Sequence, residues 1–231
     1  MQNIKENSCI YLSGGGNEKQ SYPLDKFFLK KIPENGRFLY IPIALRGHEL
    51  FPTAHLWMKS ITELHKRSDI QFETADDLST YQLDDLKKFN AIYIGGGNTW
   101  SLMQEIKSSG FSDILIRYLQ IGGRVYGGSA GAIIFGKRID THDDENIVEL
   151  KDITGFNLLH SYSVACHFKE GRDNRFKTWA INNKSPILCL SEETGLIIKD
   201  STALCIGTKP CVVFLVDGTK RSIEPEKSFN L

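Results

Sequence analysis

Apolar and polar residues follow two rhythms along the first two-thirds of the chain. Short apolar runs at residues 9–12, 38–44, 70–72, 91–94 and 124–126 read as strands. Between them, segments 23–32, 53–67, 83–89, 100–106 and 111–119 read as helices, and a further helix spans 129–135. In 53–67, Trp57, Ile61 and Leu64 fall on one helical face, with Thr53 placed as N-cap. Strands alternating with helices predict an α/β fold: a mostly parallel sheet covered by helices on both faces. The rhythm changes in the last third. A strand at 162–166 is followed by short strands at 185–190, 195–199, 203–207 and 211–216, and Asp217-Gly218 is a good hairpin turn. This part predicts antiparallel C-terminal strands, as a finish to the same sheet or as a small second sheet. No Pro/Ser-rich linker interrupts the chain, so residues 1–231 read as one domain.

Composition narrows the partners. Lys plus Arg and Asp plus Glu both number 28, for a net charge of zero. That balance argues against a nucleic-acid binder, which needs a basic face, and gives no hint of a surface for anionic membranes. Hydrophobic residues make up 41% of the chain, enough for a buried core. No apolar run reaches the roughly 18 residues that span a bilayer. Residues 1–8 are polar and lack the apolar stretch of a signal peptide, so a soluble cytoplasmic protein is expected. The five cysteines are scattered and form no CxxC pair, which predicts neither a disulfide framework nor a metal site. No cofactor is expected.

The glycine clusters fall at the carboxyl ends of the expected strands, where open α/β sheets bind ligands. Gly127-Gly128-Ser129-Ala130-Gly131 matches G-x-S-x-G, with a strand before it and an apolar helix start after it. The serine of such a turn is strained, and side chains two residues before and after it would clash. The turn lifts the hydroxyl to a helix N-terminus, where free amides favour a developing negative charge. One such amide belongs to Ala130. Gly95-Gly96-Gly97-Asn98 ends the preceding strand and can lie beside Ser129, supplying a second. The segment from Ile10 to Asn17 echoes that from Ile92 to Asn98, and both read as strand-to-helix turns.

A serine nucleophile needs a base, and six histidines compete. His167 stands at the C-terminal end of its strand, at the edge where Ser129 belongs; His142 and His160 are the runners-up. Two acids can orient the base. Asp144, in the acidic loop 140–145, gives the order Ser, Asp, His of α/β-hydrolases. Glu192, at a strand end like His167, gives Ser, His, Glu.

These residues together resemble the S51 serine peptidases, the family of dipeptidase E and cyanophycinase. The resemblance rests on Ile94-Gly-Gly-Gly-Asn-Thr99, Gly128-Ser-Ala-Gly-Ala132, His167-Phe168 and Leu190-Ser-Glu192, and covers most of the chain. It implies a fold like the class I glutamine amidotransferases, with serine replacing their cysteine. It implies a triad of Ser129, His167 and Glu192, with Asp144 a minor candidate, and oxyanion donors at Gly97 and Ala130. The expected partner is a small peptide, with a homodimer left open. Because family members recognise a carboxylate, Arg172 and Arg175 after His167 could bind one by forked hydrogen bonds, and Asn98 joins them as a substrate-binding candidate. A solvated helix start is the plainer reading of the two arginines. The alternatives to a peptidase are an esterase of the α/β-hydrolase type using Asp144, and a non-catalytic protein that binds a small ligand on the same fold.

Overall fold

The computed structural model describes residues 8–231; the polar segment before it, on which the expectation of no signal peptide rests, lies outside the described residues. The large sheet is built on β1 (Cys9–Ser13), β2 (Arg37–Ile41), β3 (Gln71–Thr74), β4 (Ala91–Ile94) and β5 (Arg124–Gly128). These five run parallel in the spatial order β3-β2-β4-β5-β1. Helices α1 (Tyr22–Lys30), α2 (Ala54–Leu64), α3 (Leu83–Leu86), α4 (Thr99–Ser108) and α5 (Phe111–Gln120) connect them, and the four-residue α6 (Ala130–Ile133) follows β5.

Both expected endings occur. β8 (Thr194–Lys199) pairs antiparallel with β1, and β9 (Thr202–Gly207) and β12 (Ser228–Asn230) extend the same sheet to eight strands. β6 (Ser163–Ala165), β7 (Ile187–Cys189), β10 (Cys211–Phe214) and β11 (Lys220–Ile223) form a separate four-stranded sheet. The β10–β11 hairpin turns at Gly218, whose φ of +83° suits glycine, while Asp217 Oδ1 accepts from Thr219 N at 2.8 Å.

Several boundaries differ from expectation for identifiable reasons. β2 stops at Ile41 because Pro42 follows, having no N–H for the ladder. Thr53 stands at the N-cap of α2 but does not cap it; its hydroxyl donates to Leu50 O at 3.2 Å instead. The edge strands β11 and β12 were not expected, and of helix α7 (Asp173–Asn183) only a solvated start at the arginine pair was. Only Phe176 and Ala180 of α7 are buried, and every residue of β11 is at least partly exposed, so neither carries a strong apolar stripe.

The strand period separates the two faces of the large sheet. Ile10, Leu12, Leu39, Ile41, Ile92, Ile94 and Val125 enter one core, which also takes Val164, Leu188 and Val213 from the second sheet. The opposite face is aromatic. The register sets Tyr40 beside Tyr93, Tyr93 beside Tyr126 and Tyr126 beside Tyr11 in a row across four parallel strands. Tyr93 and Tyr126 stack with centroids 4.2 Å apart, and Phe28 of α1 meets Tyr11, Tyr93 and Tyr126 edge-on. No helix among the described residues is long and apolar enough to cross a membrane.

One acid is buried on this aromatic face. Asp25 of α1 is 1% exposed, and its Oδ2 accepts from Ser21 Oγ at 2.7 Å. Oδ1 has no partner among the described residues. Burial pushes its carboxyl up from 3.8 to about 6, against the opposing pull of the Ser21 hydrogen bond. An acid with a raised folded-state pKa costs stability as pH rises, because the unfolded chain ionises first. Asp25 therefore removes about 3 kcal/mol between about pH 4 and about pH 7. Asp25→Asn is expected to become more stable relative to the parent by about that amount across the interval. Urea unfolding at both pH values measures this, and an unchanged difference would contradict it.

Candidate active site

The turn after β5 has the geometry that its sequence requires. Ser129 has φ 50° and ψ −112°, a conformation costly for a side chain with a Cβ. Its N–H is tied to Ser13 O of β1 at 3.0 Å, and its carbonyl accepts from Ala132 N and Ile133 N at 2.8 and 3.0 Å. The turn is tight enough to exclude side chains on either side. A Cβ on Gly127 would run into the Gly131 carbonyl, and one on Gly131 into the Ile94 carbonyl of β4. Gly128 is different: a Cβ there would meet nothing closer than Tyr93 Oη at 3.6 Å.

Three side chains from different parts of the chain form a line of hydrogen bonds. Ser129 Oγ lies 2.8 Å from His167 Nε2, and His167 Nδ1 lies 3.0 Å from Glu192 Oε1. Glu192 is held below the usual carboxylate range, first by the hydrogen bond from His167 and next by one from Gln20. An ionised Glu192 can only accept, so His167 carries its proton on Nδ1 and leaves Nε2 to accept from Ser129. The second carboxylate oxygen, Oε2, accepts from Gln20 Nε2 at 2.8 Å.

The two glycine loops that echo each other in sequence flank this line. The one after β1 makes room for His167 and Glu192. A Cβ on Gly15 would overlap the His167 ring, one on Gly16 would meet Glu192 Cβ at 2.8 Å, and His167 N donates to Gly14 O at 3.0 Å. The loop after β4 borders Ser129, where a Cβ on Gly96 would stand 3.0 Å from Ser129 Cβ. The amides of Gly96, Gly97 and Ala130 donate to no group among the described residues. The roles of Gly14, Gly15, Gly16 and Gln20 were not foreseen; the Gly-Gly-Gly-Asn echo was their one signal in sequence.

Other candidates stand elsewhere. Asp144 does not reach His167. Its Oδ2 accepts from Thr99 N and Thr99 Oγ1 at 2.8 and 2.9 Å at the start of α4, with His142 Nδ1 3.1 Å away. Burial opposes its ionisation, but hydrogen bonds from His142 and Thr99 prevail and hold the carboxyl low. His142 is thereby engaged with the acidic loop, and His160 lies on an exposed turn. Asn98 caps α4, with Oδ1 accepting from Ser101 N at 2.9 Å and Nδ2 donating to Glu145 O at 2.9 Å, so both ends of its amide are engaged. Arg172 and Arg175 converge on Asp143 at 2.8 and 2.6 Å, and together they lower its carboxyl to about 2. They stand at the start of α7, and the carboxylate they hold belongs to this chain.

A strand–turn–helix elbow that aims a serine at a carboxylate-oriented histidine is the arrangement of a serine hydrolase. Residues 9–206 match the model of peptidase family S51, and the chain belongs to that family of serine-type peptidases. It is 25% identical over 202 residues to a Drosophila melanogaster protein named probable alpha-aspartyl dipeptidase, covering 81% of this chain and 79% of that one. It is 26% identical to a peptidase E of Shewanella denitrificans, covering 81% and 82% of the two chains. The fold is similar to the crystal structure of a peptidase from an acI-B1 actinobacterium, with a TM-score of 0.67 at 18% identity and 97% of both chains covered.

The packing of the elbow makes a graded prediction. Gly127→Ala and Gly131→Ala force a methyl group into backbone and are expected to destabilise the protein by about 1–3 kcal/mol. Gly128→Ala is expected to stay within about 0.5 kcal/mol of the parent. Denaturant titration of the three variants checks this, and equal losses would refute the steric account.

Proposed function

We propose that the protein hydrolyses small peptides by acyl transfer to Ser129, with His167 as general base and Glu192 as the acid that orients it. The observation that carries this is the continuous Ser129–His167–Glu192 hydrogen-bonded line, whose serine sits on a strained turn beside unengaged amides. His167 Nε2 takes the Ser129 proton as Oγ attacks the scissile carbonyl. The oxyanion is received by the amides of Gly97 and Ala130, which donate to no other group among the described residues. His167 then gives its proton to the leaving amine, and a water activated the same way releases the acyl group. Glu192 keeps the proton on Nδ1 and stabilises the imidazolium, and Gln20 keeps Glu192 in place. We read the fold as similar to the class I glutamine amidotransferases, on the strength of this elbow at the end of a central parallel strand. We place the activity in the cytoplasm, where five unpaired thiols persist.

The esterase alternative needs Asp144 at His167, and Asp144 is engaged with Thr99. The non-catalytic alternative predicts an unreactive Ser129. A fluorophosphonate probe is expected to label Ser129 in the parent protein and to leave Ser129→Ala unlabelled with its fold intact. An unlabelled parent would refute the proposal. Glu192→Gln is expected to lower kcat roughly a thousandfold or more, since the amide no longer fixes the tautomer. Asp144→Asn is expected to retain most of the rate. The opposite ranking of these two variants would make Asp144 the orienting acid.

A further inference from the structure

A cavity of about 370 Å³ opens directly from Ser129 and His167, within the range of small-ligand pockets. Its far wall is Tyr40, Trp57 and Tyr93, with Leu45 and Leu50 towards the mouth. The three rings brace one another, with centroids 5.7 to 6.4 Å apart. The hydroxyls of Ser13, Ser21 and Thr53 are the small polar groups around it. Among the described residues that line it, none apart from His167 is charged or can become so below the tyrosine range. The cavity is continuous with Gly96 and Gly97, the loop beside the attacked carbonyl.

An acidic side chain placed here would lose water and find no cation. Arg172 and Arg175 line neither this cavity nor the larger one on the other side of His167, and Asp143 already bridges them. Burying a carboxylate without a partner is strongly unfavourable, whereas an aromatic or branched apolar group would pack against three fixed ring edges. We infer, resting on the peptidase reading above, that this pocket selects a bulky uncharged apolar side chain on the acyl residue, the one whose carbonyl Ser129 attacks. It does so in place of an aspartyl side chain. Trp57, Tyr40 and Leu50 then set specificity.

The test uses competition, so it does not depend on knowing the leaving group. Amino aldehydes bearing the side chains of Phe, Leu, Asp and Lys are titrated against fluorophosphonate labelling of Ser129 in the full chain. The Phe and Leu aldehydes are expected to protect at concentrations at least about tenfold below the Asp and Lys aldehydes. Leu50→Arg, at a position 53% exposed and so tolerant of change, sets a cation at the mouth and is expected to narrow the Phe-to-Asp ratio about tenfold. Trp57→Ala is expected to weaken protection by the Phe aldehyde by a similar factor. Labelling with equal or better protection by the Asp aldehyde, or with protection by none, overturns the inference and leaves the peptidase reading standing. Absence of labelling overturns both.

Discussion

The site depends on one backbone constraint, the reversal of direction at Ser129. At φ 50° the chain leaves β5 and enters α6 within a single residue, and Ser129 N is held by Ser13 O in the neighbouring strand. The turn closes only because Gly127 and Gly131 bring no Cβ, since the carbonyls of Gly131 and Ile94 occupy those positions. The strain is borne by the central strands of the large sheet, buried on both faces. The first residue of α6 follows Ser129 directly, and its amide donates to no group among the described residues.

Parallel pairing then decides what meets the hydroxyl. β5 lies between β1 and β4, so the loops leaving those strands flank Ser129 from opposite sides. Each loop is glycine-rich for its own steric reason. The loop after β1 must pass beneath the His167 ring and beside Glu192, and the loop after β4 must pass beside Ser129. His167 and Glu192 follow strands of the smaller sheet, β6 and β7, which pair in parallel and so bring both residues to the same end. The smaller sheet thus carries His167 and Glu192, and the larger sheet carries Ser129. The shared apolar core through Val164, Leu188 and Val213 holds the two sheets together. The aromatic row of the larger sheet runs on from its core into the wall of the cavity beside Ser129, where Tyr40 and Tyr93 belong to both.

The glycines of the elbow were legible in sequence because their pattern carries a steric demand. The elbow needed glycines at two positions around Ser129, and both are required in the structure. The antiparallel ending was visible in short apolar runs and in Asp217-Gly218. Of the polar helix α7 only the start at the arginine pair was visible, because only Phe176 and Ala180 are buried. The charged residues near the site were the hardest to place. Asp144, Asn98, Arg172 and Arg175 all looked available for chemistry, and each is engaged within the chain, by Thr99, by Ser101 and Glu145, or by Asp143. A charged side chain in a loop has many partners open to it, and sequence spacing does not choose among them.

What the sequence determined by itself was the α/β alternation and the G-x-S-x-G turn, which rest on periodicity and short-range sterics, and the motifs by which the chain resembles a peptidase family. Tertiary structure set Glu192 within hydrogen-bonding distance of His167 and Asp144 against Thr99, placed Gln20 behind Glu192, bound the arginine pair to Asp143 and gathered Tyr40, Trp57 and Tyr93 into one wall. These relations join residues far apart in the chain. They follow from strand order and register, which bring strand ends together irrespective of their separation in sequence.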